Sequence, residues 1–155
     1  MGIFRCGAKP LNVATCSRTA LSRRAPAFSR NVRNELKKNR KIYFYDNGIR
    51  NAIINIFRPI HLRTDAGALR ENFLVAERTK WPANRKYFTN RYCWRTTQQQ
   101  EINYPEEKDG DLYAWKFKWR PAGRTSFPRT FLNAYAVAQT EVVTPENYLG
   151  FVMPG

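Results

Sequence analysis

A chain of 155 residues that is 43% hydrophobic and 14% aromatic can bury a core as one domain, and it has no apolar run long enough to span a bilayer. Its 27 Lys and Arg against 12 Asp and Glu leave a formal charge of +15, which favours nucleic acid or an anionic surface as partner. One histidine, His61, and three cysteines without metal spacing, Cys6, Cys16 and Cys93, argue against histidine-based metal sites and histidine-dependent triads. The cysteines read as reduced thiols of a cytoplasmic protein. The charge is uneven: residues 1–63 hold fourteen basic and two acidic side chains, a net +12, and residues 64–155 hold thirteen and ten, a net +3.

Residues 1–28 have no acidic side chain and no clean period, and are rich in Arg, Ser, Ala and Thr. They read as a basic arm or a truncated start in preference to an organellar targeting peptide. Ser29 can cap a short basic helix over 30–38, with Val32 and Leu36 four apart on one face. Residues 40–45 read as a strand. Asp46 then suits the N-cap of a helix near 48–56, whose Ile49, Ile53 and Ile56 share an apolar stripe that Pro59 ends. Thr64 or Asp65 opens the best helical pattern, 66–80, stopping before Trp81-Pro82. Ala66, Leu69, Phe73 and Ala76 form its buried stripe, with Glu71 standing off at the side. Residues 85–95 read as a strand.

Two further strand-like runs, 98–106 and 111–119, flank Lys108-Asp109-Gly110-Asp111, and Asp-Gly is a strong hairpin signal. Strand alternation puts Glu101 and Asn103 on one face of the first run, and Lys116 and Lys118 on one face of the second. If those faces coincide, a polar cluster lies beside aromatic residues. After a Pro- and Gly-containing loop come a helix from Pro128 to Tyr135, a short strand over 141–144 and a last helix over 146–152. This order predicts an α/β or α+β layer with a mixed sheet. Neither a GxxxxGK[ST] phosphate loop nor GxGxxG nor GxSxG occurs, so nucleotide hydrolysis by this chain alone is not expected.

Lys-Ile-Tyr-Phe-Tyr-Asp-Asn-Gly-Ile-Arg-Asn-Ala (41–52), Gly-Ala-Leu-Arg-Glu-Asn-Phe (67–73), Trp-Arg-Thr-Thr-Gln-Gln-Gln-Glu-Ile-Asn (94–103), Phe-Lys-Trp (117–119) and Val-Thr-Pro-Glu-Asn-Tyr (143–148) resemble a known domain. It is the carboxy-terminal domain of unknown function that follows the ATPase module in a large group of prokaryotic AAA-type ATPases. The resemblance covers about residues 26–152 and leaves the ATPase part missing. It implies a restriction-endonuclease-like α/β fold of the PD-(D/E)xK class, a mixed central sheet flanked by helices behind a basic N-terminal arm. It also implies a division into an arm (1–28), a remnant of a winged-helix connector (29–64) and a nuclease-like domain (65–155).

In that class a helix Glu, a strand Asp and a Glu-x-Lys pair hold Mg²⁺ and position the attacking water. Carried over by position, the helix Glu is Glu71, the Asp falls on Asn103, the Glu on Lys116 and the Lys on Lys118. Asn103 offers a neutral oxygen, and Lys116 puts a cation where Mg²⁺ needs an anion. Two unit charges about 4 Å apart interact by about 4 kcal/mol at an effective dielectric near 20, so this exchange reverses a large term. Glu101 is the available substitute, as a ligand or as an ion-pair partner for Lys116.

The resemblance therefore implies a catalytically inactive nuclease-like module that binds nucleic acid or docks on an ATPase partner, without a resident metal or other cofactor. Arg30, Arg33, Lys37, Lys38, Arg40, Lys41, Lys116 and Lys118 are its expected phosphate contacts. Trp94, Tyr104, Trp115 and Trp119 are expected mostly in the core, with any exposed ring free to stack on bases. One alternative is a Mg²⁺-dependent nuclease using Glu71, Glu101 and Lys118. Another is a purely structural domain that docks on an ATPase or on its own copy.

Overall fold

The structure, a computed structural model, describes residues 22–29, 41–83, 88–119 and 125–154, so the helix expected over 30–38 lies outside the described residues. Two short strands come first, β1 (Ser22–Ala25) and β2 (Lys41–Phe44), followed by helix α1 (Asn47–Ile54), a 3₁₀ turn (Ile60–Leu62) and the long helix α2 (Ala66–Ala83). Then come β3 (Asn90–Arg91), β4 (Trp94–Arg95), β5 (Glu101–Ile102), β6 (Tyr104–Lys108), β7 (Asp111–Phe117), helix α3 (Arg129–Ala134), β8 (Val137–Val143) and helix α4 (Tyr148–Val152). The architecture is mixed α/β, and no described helix is long and apolar enough to cross a membrane.

Local chemistry sets several of these boundaries. Asp46 caps α1 as expected, its Oδ1 accepting from the Ile49 amide at 3.0 Å. The helix ends at Asn55 in the left-handed region, φ 52°. Lys108 pairs with Asp111, which leaves Asp109 and Gly110 as a two-residue turn, with φ of 52° and 92°. Positive φ at both places is what a hairpin turn matched to strand twist demands, and Asp-Gly tolerates it. Helix α2 runs on through Trp81 and Pro82 to Ala83, past the stop expected before Trp81-Pro82. The carboxylate of Asp65, just ahead of α2, accepts from Arg63 and from the buried Arg50, and those two bonds hold its pKa well below the usual carboxylate range.

The main sheet has the order β3-β6-β7-β8. β3 and β7 both run antiparallel to β6, and β8 lies parallel to β7. The parallel return explains why β8 starts well before the expected 141–144 strand: residues 137–143 track the length of β7. The run expected as one strand over 98–106 breaks at Asn103, because Glu101–Ile102 pairs with Trp94–Arg95 while Tyr104–Lys108 pairs with β7. The strand expected over 85–95 is likewise divided between β3 and β4.

β7 is covered on both faces. Leu112 and Ala114 face a cluster with Phe28, Trp94, Ile102, Phe131 and Tyr135. Trp115, with Tyr113 and Phe117 on the same side, packs against Leu74 and Val75 of α2 and Phe151 and Val152 of α4. Ala25 of β1 and Tyr43 of β2 belong to this second cluster, so the early strands share a core with the elements after residue 65.

A buried ion pair ties that core together. Arg78 donates to Glu106 Oε2 from Nη2 at 2.7 Å and to the Phe151 carbonyl from Nη1 at 2.7 Å. Its guanidinium also lies over the rings of Trp115 and Phe151, at 5.0 and 5.2 Å. Arg78→Met should cost about 3–5 kcal/mol in a urea titration, because Glu106 is left buried with only the more distant Arg91, at 3.9 Å, as its cation. The double variant Arg78→Met/Glu106→Leu should recover most of that loss; a double variant as unstable as the single one would refute coupling between the two.

Candidate functional site

Strand β2, helix α2 and the short strand β5 bring their polar side chains to one point. Lys41 and Tyr43 alternate with Ile42, so they share the face of β2 that meets α2. From α2 comes the buried Glu71. Lys41 Nζ donates to Glu71 Oε1 at 2.8 Å and also to Glu101 Oε1. The Tyr43 hydroxyl donates to the same Glu71 oxygen at 2.8 Å, and Asn103 Nδ2 donates to Glu71 Oε2 at 3.2 Å. Asn103 Oδ1 in turn accepts from the Phe117 amide at 3.0 Å, a pairing that fixes which way the amide points.

The neighbouring Asn72 aligns the strand with the helix. Its Oδ1 accepts from the Phe44 amide at 2.7 Å, and its Nδ2 donates to the Phe44 carbonyl at 2.9 Å and to Asn47 Oδ1 at 2.9 Å. This clamp holds β2 against α2 and so places Lys41 and Tyr43 over Glu71.

Burial by itself would depress the Lys41 ammonium, but Glu71 and Glu101 overcome it and raise the pKa above the ordinary lysine value. Burial, then Glu71, pushes the Tyr43 phenol well up, so it remains a hydrogen-bond donor. The buried Cys93 thiol, which donates to the Ala25 carbonyl at 3.5 Å, is likewise raised by burial. The cluster thus consists of a charged donor, a neutral donor and carboxylates already bonded to them.

Several expectations change here. Lys41, expected as a phosphate contact, is buried and bonded to two carboxylates. Glu71, expected at the side of its helix, points into the cluster, because α2 is covered on more than one side. Leu74, Val75 and Ala76 are buried while Phe73 of the expected stripe is exposed. Glu101 and Asn103 do meet Glu71's surroundings, but the cation paired with Glu101 is Lys41 and not Lys116. Lys116 donates to the Ser126 carbonyl at 3.0 Å, half-buried, and burial and then Lys118 lower its pKa. Lys118 lies exposed beyond the end of β7. Arg30, Arg33, Lys37, Lys38 and Arg40 lie outside the described residues. Trp94, Tyr104 and Trp115 are core residues, leaving Trp119 as the exposed ring of the four.

These residues do not fit a divalent cation. The Glu71 oxygen that would face it already takes Lys41 and Tyr43, Asn103 turns its NH₂ toward the centre, and Lys41 supplies the positive charge. Among the described residues no group of three or more His, Cys, Asp or Glu could hold a metal ion.

The profile of a family described only as a domain of unknown function, DUF8612, matches residues 16–59. That stretch includes Lys41 and Tyr43, whereas Glu71 and Glu101 lie beyond it. No curated protein and no solved structure matches the chain.

Lys41→Met should destabilise the protein by about 3–5 kcal/mol at pH 8, since it strands buried carboxylate charge. In the native protein the raised lysine pKa sets the pH dependence: its contribution is complete below the ordinary value of about 10.4 and falls away as pH rises from there through the folded value. The variant penalty should therefore shrink in thermal melts taken above about pH 10.4, and a penalty that stays constant there would contradict the assignment.

Proposed function

We propose that this chain is a catalytically silent, nuclease-like module that binds nucleic acid through phosphate contacts and works with an ATPase partner. The observation that carries the reading is the Lys41 ammonium between Glu71 and Glu101. Glu71 and Asn103, which the resemblance assigns to the helix Glu and strand Asp positions of a PD-(D/E)xK nuclease, are hydrogen-bonded to each other, and the Lys41 ammonium lies against the same carboxylate. An ammonium neutralises carboxylates, but it has no vacant coordination position from which to lower the pKa of a water. The mixed sheet covered by helices suits a restriction-endonuclease-like fold, and the formal charge of +15, with Arg23, Arg24 and Lys118 exposed, suits phosphate as partner. The proposal sets the chain in a reducing cytoplasm, where the buried Cys93 stays a thiol.

A labelled DNA duplex followed by anisotropy over a salt series should bind with log affinity falling by about 0.9 per phosphate engaged for each decade of salt. Supercoiled plasmid with Mg²⁺ or Mn²⁺ should stay uncut. Absence of binding at about 50 mM salt sinks the nucleic-acid half of the proposal. The nuclease-derived half has its own check in Lys41→Ala, which vacates the cation position. Millimolar Mn²⁺ should raise the melting temperature of that variant and leave the native protein unchanged; equal responses would remove this support.

One observation favours protein docking as a second reading. Ile53, Phe57, Ile60 and Leu62 are all exposed around the end of α1 and the 3₁₀ turn, with Phe57 69% and Leu62 61% accessible. A dimer in light scattering that ignores DNA and is dispersed by Phe57→Glu would favour that reading over the first.

A further inference from the structure

We infer that Trp119, backed by Arg70, is a stacking platform for an unpaired nucleobase, with Lys118 beside it for the adjoining phosphate. The inference rests on the nucleic-acid reading above and adds strandedness to it. Trp119 directly follows Lys118 at the end of β7, where the Lys118 amide donates to the Val143 carbonyl at 2.9 Å and anchors the backbone. Its ring is 40% accessible, although Trp94 and Trp115 are almost fully buried. An exposed indole on a fixed backbone costs hydration without a packing gain, and a nucleobase face is a chemically matched cover for it.

The underside of the ring is already organised. The Arg70 guanidinium stacks 5.0 Å from the Trp119 centroid, and Arg70 Nη1 donates to the Lys118 carbonyl at 3.3 Å. A cation over the ring holds the indole in place, and the residue remains 40% accessible. Arg70 is itself more than nine-tenths buried, so the cation under the ring is held by its surroundings. One turn along α2, Phe73 is exposed and packs against Tyr148 at a centroid distance of 6.2 Å, which extends the aromatic surface. The charge around the platform is mixed: Lys118 and Arg70 are positive, and Glu146 lies within electrostatic range of Arg70. A sequence-tolerant ligand with π faces and a negatively charged backbone matches this set, and single-stranded nucleic acid has both properties.

Intrinsic fluorescence tests the assignment, because Trp119 is the most accessible tryptophan among the described residues. Saturation with an oligo(dT) strand should quench the emission, and the same sequence annealed into duplex should quench it much less. Trp119→Ala should weaken oligo(dT) binding roughly tenfold without changing the salt slope, whereas Trp119→Phe should retain most of the affinity. Lys118→Gln should lower the salt slope by about one, and Glu146→Gln should tighten binding. Unquenched emission, or oligo(dT) binding by Trp119→Ala equal to that of the native protein, overturns the platform. If duplex binding with its salt slope persists in that case, the broader nucleic-acid proposal still stands; binding to neither strand form overturns both.

Discussion

The constraint on which the site depends is the desolvation of Lys41. An ammonium removed from water at the start of a strand needs negative charge within contact distance, and Glu71 and Glu101 supply it from a helix and from a different strand. The demand runs in both directions, since a buried Glu71 needs donors as strongly as Lys41 needs acceptors. Two ion pairs that share Lys41 therefore fix the relative position of β2, α2 and β5. Tyr43 and Asn103 complete the hydrogen bonding of Glu71. A buried ionic cluster with every member bonded is costly to disturb, because removing any one leaves the others uncompensated.

Helix α2 is the element that makes this arrangement possible. Its buried residues include Arg70, Glu71, Asn72, Arg78 and Thr79 as well as Leu74, Val75 and Ala76. Each long polar member has a structural use: Asn72 clamps β2, Glu71 receives Lys41, Arg78 holds Glu106 and α4, and Arg70 supports Trp119. The helix works as a polar spine through the middle of the molecule, with apolar contacts filling the spaces between its bonds. This differs from an amphipathic helix laid on a core, where polar residues mark the water side.

That difference also explains what was legible in the sequence. Local signals read well: Asp46 caps its helix, Asp109-Gly110 makes the two-residue hairpin turn, and Glu71, Glu101 and Asn103 were singled out and do converge. The face of α2 did not read well, because a period count puts Phe73 in the buried stripe and Glu71 at its side, whereas Glu71 is buried and Phe73 exposed. Long-range pairing was hidden too. Nothing local to residues 137–140 announces that they lie parallel to β7, and the break at Asn103 comes from two different partner strands. Lys41 reads as part of a basic patch because five cations close to it in the sequence invite that grouping. The contrary signal was present in the Lys-Ile-Tyr alternation, which puts Lys41 and Tyr43 on one strand face, and one of those faces had to meet the helix.

The formal charges of the cluster set the sign of the local field. Lys41 contributes one positive charge, and Glu71 and Glu101 contribute two negative ones, so the buried set carries a formal −1 and repels a phosphate by itself. Lys116 and Lys118 turn the local sum to +1, but Lys116 is engaged with the Ser126 carbonyl and Lys118 stands outside the cluster. Attraction for a phosphate backbone therefore resides at the rim and over the basic surface, not at the carboxylates. A metal-dependent nuclease has the reverse layout, in which the buried cation itself draws the scissile phosphate inward. With Lys41 bonded to Glu71 and Glu101, the strongest electrostatic bonds of the region are internal and hold the fold, while Lys118 and the Trp119 indole stay exposed.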